Sequence, residues 1–500
     1  MDALRIAAAR HASAAARARR CALTLGLLAL VPLLAGCATN PVTGRRELSL
    51  VSAGQEEQLG REGYKAVLDE YGVYEDSTTQ RFVNDVGQKL ARVSHLPNLD
   101  WHFTVIDDPS VNAFAMPGGY IYVTRGILAH LNSEAQLAGV LGHEIGHVTH
   151  RHSAEQISRQ QIAGLGLGVA SILSPTVGRY SQVAQQALGL MFLKYSRTNE
   201  NEADALGVDY AARAGYDPRE IPSTYAMLKR VGEQAGQRLP AFLSTHPDPG
   251  DREVRTTELA RVAAEGKSGL VIHKDEYIRR LDGLVFENDP RQGYFEGDEF
   301  YHPGLRFALG FPAGWKRENT RSAVTAAAPE NRAGMQLTLA DAEDLSPADY
   351  VAKLTNSGRI TRASGTQERI GELSAWVGHI ATPGEAGTER VLVAAFIRRG
   401  PGQMFQILGN SQQAGDADAR AVLASAHSFR ALTDAARLDP RPARVKVTRT
   451  SSPTTFASAV GALGPQALDV EGTAILNNRL ASDRVVVGDL LKIVTPARLR

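Results

Sequence analysis

The chain has 500 residues, of which 43% are hydrophobic and 22% are charged, a composition typical of globular proteins and not of disordered ones. This length exceeds that of one ordinary domain, so we expect two or three. The formal net charge of +1 argues against the strongly basic surface with which proteins bind nucleic acid.

The first 36 residues combine an arginine-rich start with an apolar run over 22–35, which is too short to span a bilayer comfortably. Removal of residues 1–36 lowers the number of basic residues from 55 to 50 and the number of acidic residues from 54 to 53, so the net charge becomes −3. The run ends in 34–37 (LAGC), which resembles the lipobox of bacterial lipoproteins. We therefore predict a lipoprotein signal peptide over 1–36 and lipidation of Cys37. The alternative is an uncleaved anchor.

Cys37 is the only cysteine of the predicted mature chain, because Cys21 lies in the signal peptide. The mature protein therefore has no internal disulfide and no thiolate ligand for a metal ion. Ala38 follows Cys37, and in bacteria with an outer membrane this resembles lipoproteins sent to that membrane. We expect a lipid-anchored protein of the cell envelope, on the periplasmic face of the outer membrane.

An extended tether is predicted over 37–50, followed by helical patterns near 54–71 and 77–94. The strand-like segment 101–107 and two short strands over 111–124 predict a small sheet in a mainly helical domain.

Ser133, with Gln136 three residues later, has the pattern of a capping box and predicts the start of a long helix that continues to about residue 160. Apolar stretches follow at 162–173 and 187–193. They predict either a buried helical hairpin or a hydrophobic flap over a cleft or against a bilayer. A further helix is predicted over 198–214.

The pattern changes after a linker at 266–299. Strand-like and helical segments alternate over 300–432, which predicts an α+β domain of unknown role. The last region, 433–500, begins with a Pro/Arg linker and then resembles a LysM module, a small βααβ fold that binds the glycan of peptidoglycan. Because Ser452-Pro453-Thr454 replaces the usual Gly-Asp-Thr, this module is either a glycan binder or a structural cap.

The segment 143–147 (HEIGH) carries the clearest chemistry in the chain. On a helix His143 and His147 lie within about 40° of each other, so both imidazoles can bind one metal ion. Glu144 lies about 100° round the helix and can reach a water molecule on that ion. This spacing is typical of zinc metallopeptidases in which the glutamate is the general base. We predict one Zn2+ per subunit.

A third metal ligand has to come from elsewhere in the chain. The metzincin continuation would need glycine and histidine where this chain has His150 and Ser153. The remaining candidates for the third ligand are carboxylates on a later helix, and among these we predict Glu200. Asp204, one turn further, fits an acceptor for the second ring N–H of a ligand histidine, whereas Glu202 is predicted to point away.

Four blocks in order resemble a known family: 112–119 (NAFAMPGG), 142–147 (GHEIGH), 195–204 (YSRTNENEAD) and 245–247 (THP). The chain is similar over 51–265 to the membrane-linked zinc peptidases that include HtpX, the CaaX prenyl proteases and the periplasmic BepA type.

This resemblance implies a zincin-type domain with zinc on His143, His147 and Glu200, and with Glu144 as general base. It also implies that the segment starting with Asn112, Ala113 and Phe114 lines the cleft, where a substrate can add as a β-strand.

His246 and Arg252 are further candidates for the site, because they lie in a His-Pro loop and in the helix after it. His246 either stabilises the oxyanion of the tetrahedral intermediate or occupies the open position on zinc and keeps the enzyme inactive. Arg252 is predicted to steady that loop or the substrate carbonyl.

The leading hypothesis is therefore a zinc endopeptidase that hydrolyses misfolded or unassembled envelope proteins. The alternative is a lipid-anchored, peptidoglycan-binding scaffold or chaperone with little proteolytic activity. Glu144 favours the peptidase, because a scaffold needs no general base. The expected partners are envelope proteins, the membrane through Cys37 and peptidoglycan through 433–500.

Overall fold

The computed structural model describes residues 37–162, 188–191, 194–235, 241–246, 249–384, 388–410 and 416–499. The predicted signal peptide and most of the apolar stretches at 162–173 and 187–193 lie outside these residues. Among the helices that are described, none is both long enough and apolar enough to cross a membrane.

The described chain begins with an antiparallel hairpin of β1 (Cys37–Thr39) and β2 (Arg46–Leu48), where the sequence predicts an extended tether over 37–50. Asn40 explains the difference. Its buried side-chain amide donates to the carboxylate of Glu47 at 3.0 Å and to the backbone carbonyl of His150 at 3.3 Å. These bonds close the hairpin and hold it against the next domain.

The first domain is mainly helical and contains one small sheet. Its elements are α1 (Ala53–Tyr71), α2 (Ser77–Ala91), β3 (His102–Ile106), β4 (Ala113–Met116), β5 (Tyr120–Thr124), α3 (Arg125–His130), α4 (Glu134–Thr149), α5 (His152–Ile162), α6 (Arg197–Arg213), α7 (Ile221–Ala235), α8 (Ala241–Thr245), α9 (Pro249–Ala264) and α10 (Lys274–Arg280). The sheet has the order β3–β5–β4, with β3 parallel and β4 antiparallel to β5.

The central helix α4 begins after Ser133, whose hydroxyl accepts from the amide of Gln136 at 3.1 Å. The Gln136 side chain accepts from the amide of Asn132, so the predicted capping box is only half formed. The prediction that this helix continues to about residue 160 is wrong. Arg151 has a φ of 58°, which ends α4 and starts α5 in a new direction.

The second domain consists of two antiparallel sheets and their helices. Its elements are β6 (Tyr294–Glu296), β7 (Glu299–His302), β8 (Phe307–Gly310), β9 (Lys316–Asn319), β10 (Ala323–Ala327), β11 (Gly334–Glu343), α11 (Pro347–Asn356), β12 (Arg362–Ile370), β13 (Leu373–Pro383), β14 (Glu389–Gly400), β15 (Gly402–Asn410), α12 (Ala417–His427), β16 (Arg430–Ala431) and α13 (Ala435–Leu438). The larger sheet has the order β12–β13–β14–β15–β11–β10–β9, and the smaller has the order β16–β8–β7–β6.

The last region has the main order strand, helix, helix, strand. Its elements are β17 (Arg444–Arg449), β18 (Thr454–Thr455), α14 (Phe456–Gly461), α15 (Val470–Leu476), β19 (Arg484–Val485) and β20 (Leu490–Thr495), with β17 antiparallel to β20. The identity of this region as a LysM module stays a prediction. The mixed α+β fold class is confirmed.

This last region packs directly on the first domain. Val445 and Val494 belong to the same buried cluster as the core of α4. The fully buried Lys492 donates from its Nζ to the backbone carbonyls of Ala129 (2.6 Å) and Leu131 (2.7 Å). The C-terminal segment therefore supports the end of α3, shortly before α4 begins.

Candidate metal centre

Helices α4 and α6 bring the three predicted ligands together. The Nε2 atoms of His143 and His147 lie 3.0 Å apart. The carboxylate of Glu200 lies 3.5 Å from His147 Nε2 and 3.7 Å from His143 Nε2. A tetrahedral zinc ion with bonds of about 2.0–2.1 Å holds its ligand atoms about 3.3 Å apart. These buried donors therefore fit one zinc ion.

His246 also lies in this cluster. It follows α8, and its Nδ1 is 2.9 Å from Glu200 Oε1 and 3.4 Å from His143 Nε2. The ring of Phe242 stacks on it at 4.4 Å. Burial opposes protonation of His246, but Glu200 and Glu144 raise its pKa. A group of four potential ligands results: His143, His147, Glu200 and His246.

Glu144 is fully buried beside this group. Its Oε1 lies 4.0 Å from His246 Nε2, and neither carboxylate oxygen has a hydrogen-bond partner within the described ranges. Burial raises the pKa of Glu144, against the opposing effect of His246 and His143. A buried carboxylate without hydrogen bonds is costly, and it is placed to bind a polar ligand such as water.

Asp204 lies directly behind His143. Its Oδ1 is 3.0 Å from His143 Nδ1 and accepts from the hydroxyl of Tyr225 at 2.6 Å. Arg252 and Arg255 both donate to the same carboxylate. Burial opposes ionisation, but Arg252 and His143 hold the pKa of Asp204 well below its usual range. Asp204 thus stays charged and can accept the Nδ1 proton of His143.

Arg252 is fully buried behind the ligands. Its Nη1 is 2.6 Å from Glu200 Oε2 and its Nη2 is 2.7 Å from Asp204 Oδ1. The sequence predicts that Arg252 steadies the preceding loop or the substrate carbonyl, whereas in the structure its charge neutralises the two carboxylates.

Two further residues, His152 and Glu202, lie behind His147. The Nδ1 atoms of His147 and His152 lie 2.9 Å apart, and His152 Nε2 lies 3.2 Å from Glu202 Oε2. Glu202, predicted to point away, therefore anchors the histidine that orients a ligand. The turn at Arg151 brings His152 back to His147, and no periodic pattern in the sequence indicates such a turn.

The predicted substrate segment forms an edge of the small sheet. Ala113 and Phe114 begin β4, which pairs with β5 and packs against α4. Asn112 directly precedes this strand, and its Oδ1 is buried without a partner in the described part of the chain. Cys37 begins β1 and is not a member of the cluster.

Residues 77–259 match peptidase family M48. Over 215 residues the chain is 34% identical to the mitochondrial metalloendopeptidase OMA1 of Schizosaccharomyces pombe. This alignment covers 42% of this chain and 63% of the yeast protein. Over 285 residues it is 31% identical to the beta-barrel assembly-enhancing protease of Escherichia coli K12. This second alignment covers 54% of this chain and 56% of the bacterial protein.

These matches confirm the predicted family resemblance. The family match includes the four potential ligands and Glu144, all of which lie within residues 77–259. The chain spans between half and two thirds of the length of these two relatives.

Proposed function

We propose that the protein is a zinc-dependent endopeptidase of the bacterial cell envelope, a proposal that starts from the match of residues 77–259 to peptidase family M48. The observation that carries the proposal is the pairing of a three-ligand site with Glu144. This buried carboxylate has no other hydrogen-bonding task among the described residues. A purely structural metal site would not need it.

Each residue of the site has its own role in the proposed hydrolysis of a peptide bond. His143, His147 and Glu200 would hold zinc, which would lower the pKa of a water molecule to about 7 and polarise the scissile carbonyl. Glu144 is placed to accept the proton of an attacking water molecule and to pass it to the leaving amine. Asp204 holds the Nδ1 proton of His143 and so keeps Nε2 free for the metal.

We propose that the substrate lies along β4. This strand is at the edge of the sheet and packs on α4, so an added extended segment would pass close to Glu144. Backbone hydrogen bonds to Ala113 and its neighbours would bind many sequences with little selectivity. This suits misfolded or unassembled envelope proteins, whose segments are extended and accessible.

The test is Glu144→Gln, which keeps the shape of the side chain and removes its basicity. A general base contributes about 10²–10⁴-fold, so hydrolysis of casein falls at least about 100-fold while the zinc content stays the same. Glu318→Gln, at an exposed position of β9, is the matched control and keeps full activity. If the wild type and Glu144→Gln both bind zinc and are equally inactive, the protein is a scaffold or chaperone.

We further propose that Cys37 carries the lipid that places the enzyme at the periplasmic face of the outer membrane. The support is the sequence pattern around it. Cells expressing wild type and Cys37→Ser, labelled with a fatty-acid analogue, test this directly. The wild type takes up the label and fractionates with the outer membrane, and the variant does neither. An unlabelled wild type contradicts the proposal.

A further inference from the structure

A second group of potential metal ligands lies beside the first. His150, His152 and Glu202 each offer one ligand atom, and these atoms lie within 4.8 Å of one another. The two imidazole rings are parallel within 8°, with centroids 5.1 Å apart. Both histidines are buried, whereas the side chain of Glu202 is 41% exposed and opens the group to solvent. Two imidazoles and a carboxylate are ligands that zinc prefers.

The backbone between the two histidines is held in an unusual conformation. Arg151 has a φ of 58°, in the left-handed region that residues with a Cβ atom rarely adopt. Its side chain is fixed by Glu56 at 3.1 Å and by the carbonyl of Val51 at 3.0 Å. Because of this turn, His150 and His152 face the same space. Backbone strain of this kind concentrates at functional sites.

The proton positions link this group to the first one. A neutral imidazole carries one N–H. When His147 binds a metal through Nε2, its proton is on Nδ1 and is donated to His152 Nδ1, 2.9 Å away. His152 then carries its own proton on Nε2 and donates it to Glu202 at 3.2 Å. His152 Nε2 is therefore not free for a metal while His147 holds the catalytic ion in this way.

We propose that His150, His152 and Glu202 form a second, inhibitory site for a divalent transition-metal ion such as Zn2+. A metal on His152 Nε2 moves the proton of this ring to Nδ1, where it faces the N–H of His147. Two donors then oppose each other across 2.9 Å, and His147 loses its acceptor. Occupation of the second site thus weakens the first, an effect of about 10–100-fold when a ligand histidine loses its partner.

A substitution at His150 changes the second site and leaves the first one intact. The Nδ1 of His150 lies 3.4 Å from Asn40 Nδ2, a long and weak hydrogen bond that a metal ion on this ring nitrogen can replace. His150 is not a member of the first ligand group. Its removal therefore takes a ligand from the second site and leaves the pair of His147 and His152 in place.

The experiment titrates the full-length protein, loaded with one zinc per chain, with buffered free Zn2+. Bound zinc is measured by equilibrium dialysis, and casein hydrolysis is measured at the same free-zinc concentrations. Wild type binds a second zinc and loses activity over the same range. In His150→Ala both midpoints move at least about tenfold to higher zinc, while the first zinc and the activity at one equivalent stay unchanged.

The inhibitory role rests on the proposed peptidase function, whereas the second site does not. If the wild type is inactive, the number of zinc ions bound per chain still tests the second site. One bound zinc per chain at every concentration overturns the proposal, and so does a second zinc that binds equally well to His150→Ala. Inhibition without a second bound ion also overturns it. His150→Gln replaces His150→Ala if the latter unfolds at a lower temperature than the wild type.

Discussion

Gly142 and Gly207 touch where α4 crosses α6. A Cβ atom at Gly142 would lie 3.0 Å from the carbonyl oxygen of Gly207, and one at Gly207 would lie 2.9 Å from the amide nitrogen of His143. The two backbones can approach this closely only because neither residue has a side chain. This contact sets the distance between the histidines on α4 and Glu200 on α6, and hence the size of the metal site.

Gly207→Ala tests this relationship. The new methyl group pushes against backbone, which cannot rotate away, and overpacking of this kind costs about 1–3 kcal/mol. The better helix propensity of alanine returns up to about 1 kcal/mol. We expect a net loss of up to about 2 kcal/mol in the free energy of unfolding and weaker zinc binding. Thermal unfolding and competition with a chelator measure the two effects.

Gly54→Ala is the matched control, because this glycine also lies in a helix but no atom is within 4 Å of its added Cβ. Its stability and zinc affinity stay the same or rise slightly. If Gly207→Ala behaves like this control, the two helices are free to separate and the contact does not set the site.

The sequence predicts those site residues whose positions follow from the spacing of residues within one helix. His143 and His147 follow from the four-residue helical repeat, and the choice of Glu200 and Asp204 uses the same repeat on a later helix. Glu202 lies on the same helix and was predicted to face away. It takes part because the break at Arg151 carries His152 round to it.

The rest of the support depends on contacts between distant parts of the chain. Arg252 reaches the carboxylates of Glu200 and Asp204 only through the packing of α9. Lys492 supports α3 from the last strand of the protein, more than 350 residues later in the chain. Periodicity and motif spacing carry no information on such pairs, and sequence analysis treated the last region as a separate module.

Asp204→Asn should damage both zinc binding and stability. The amide cannot balance the charge of Arg252, and its neutral oxygen is a weaker acceptor than the carboxylate for the Nδ1 proton of His143. Removal of one partner from a buried ion pair costs about 3–5 kcal/mol, and loss of the acceptor behind a ligand histidine weakens metal binding about 10–100-fold. Chemical unfolding of the metal-free protein and chelator competition separate the two effects.

Tyr225→Phe is the control for Asp204→Asn. It removes one hydrogen bond to Asp204 and leaves the charges and the bond to His143 in place. We expect a loss of about 1 kcal/mol in stability with zinc affinity nearly unchanged. Equal zinc affinity in Asp204→Asn and Tyr225→Phe would mean that Asp204 does not orient His143.

His246→Ala distinguishes the two roles considered for this residue. Its Nδ1 lies as close to Glu200 and His143 as a fourth metal ligand would, and a fourth protein ligand leaves no position for water. We therefore expect casein hydrolysis to increase. If the closed form is about 90% populated, the increase is about tenfold. A fall in activity with unchanged zinc content would instead assign His246 to the oxyanion.

Lys492 makes stability depend on pH. Burial lowers the pKa of Lys492 well below its ordinary value, so between the folded-state pKa and about 10.4 the unfolded chain binds more protons than the folded one. The free energy of unfolding then rises with pH in this window, by up to about 1.4 kcal/mol per pH unit. Lys492→Met removes this contribution, so its stability curve is flatter than that of the wild type.

Lys446→Met removes the same charge from an exposed position of β17 and should keep the wild-type slope. Thermal unfolding of the three proteins between pH 7 and pH 10, a range that lies below the ordinary lysine pKa of about 10.4, makes the comparison. Parallel curves for the wild type and Lys492→Met would show that Lys492 remains protonated throughout. The carbonyls of Ala129 and Leu131, at 2.6 and 2.7 Å, would then stabilise the ammonium group enough to offset its burial.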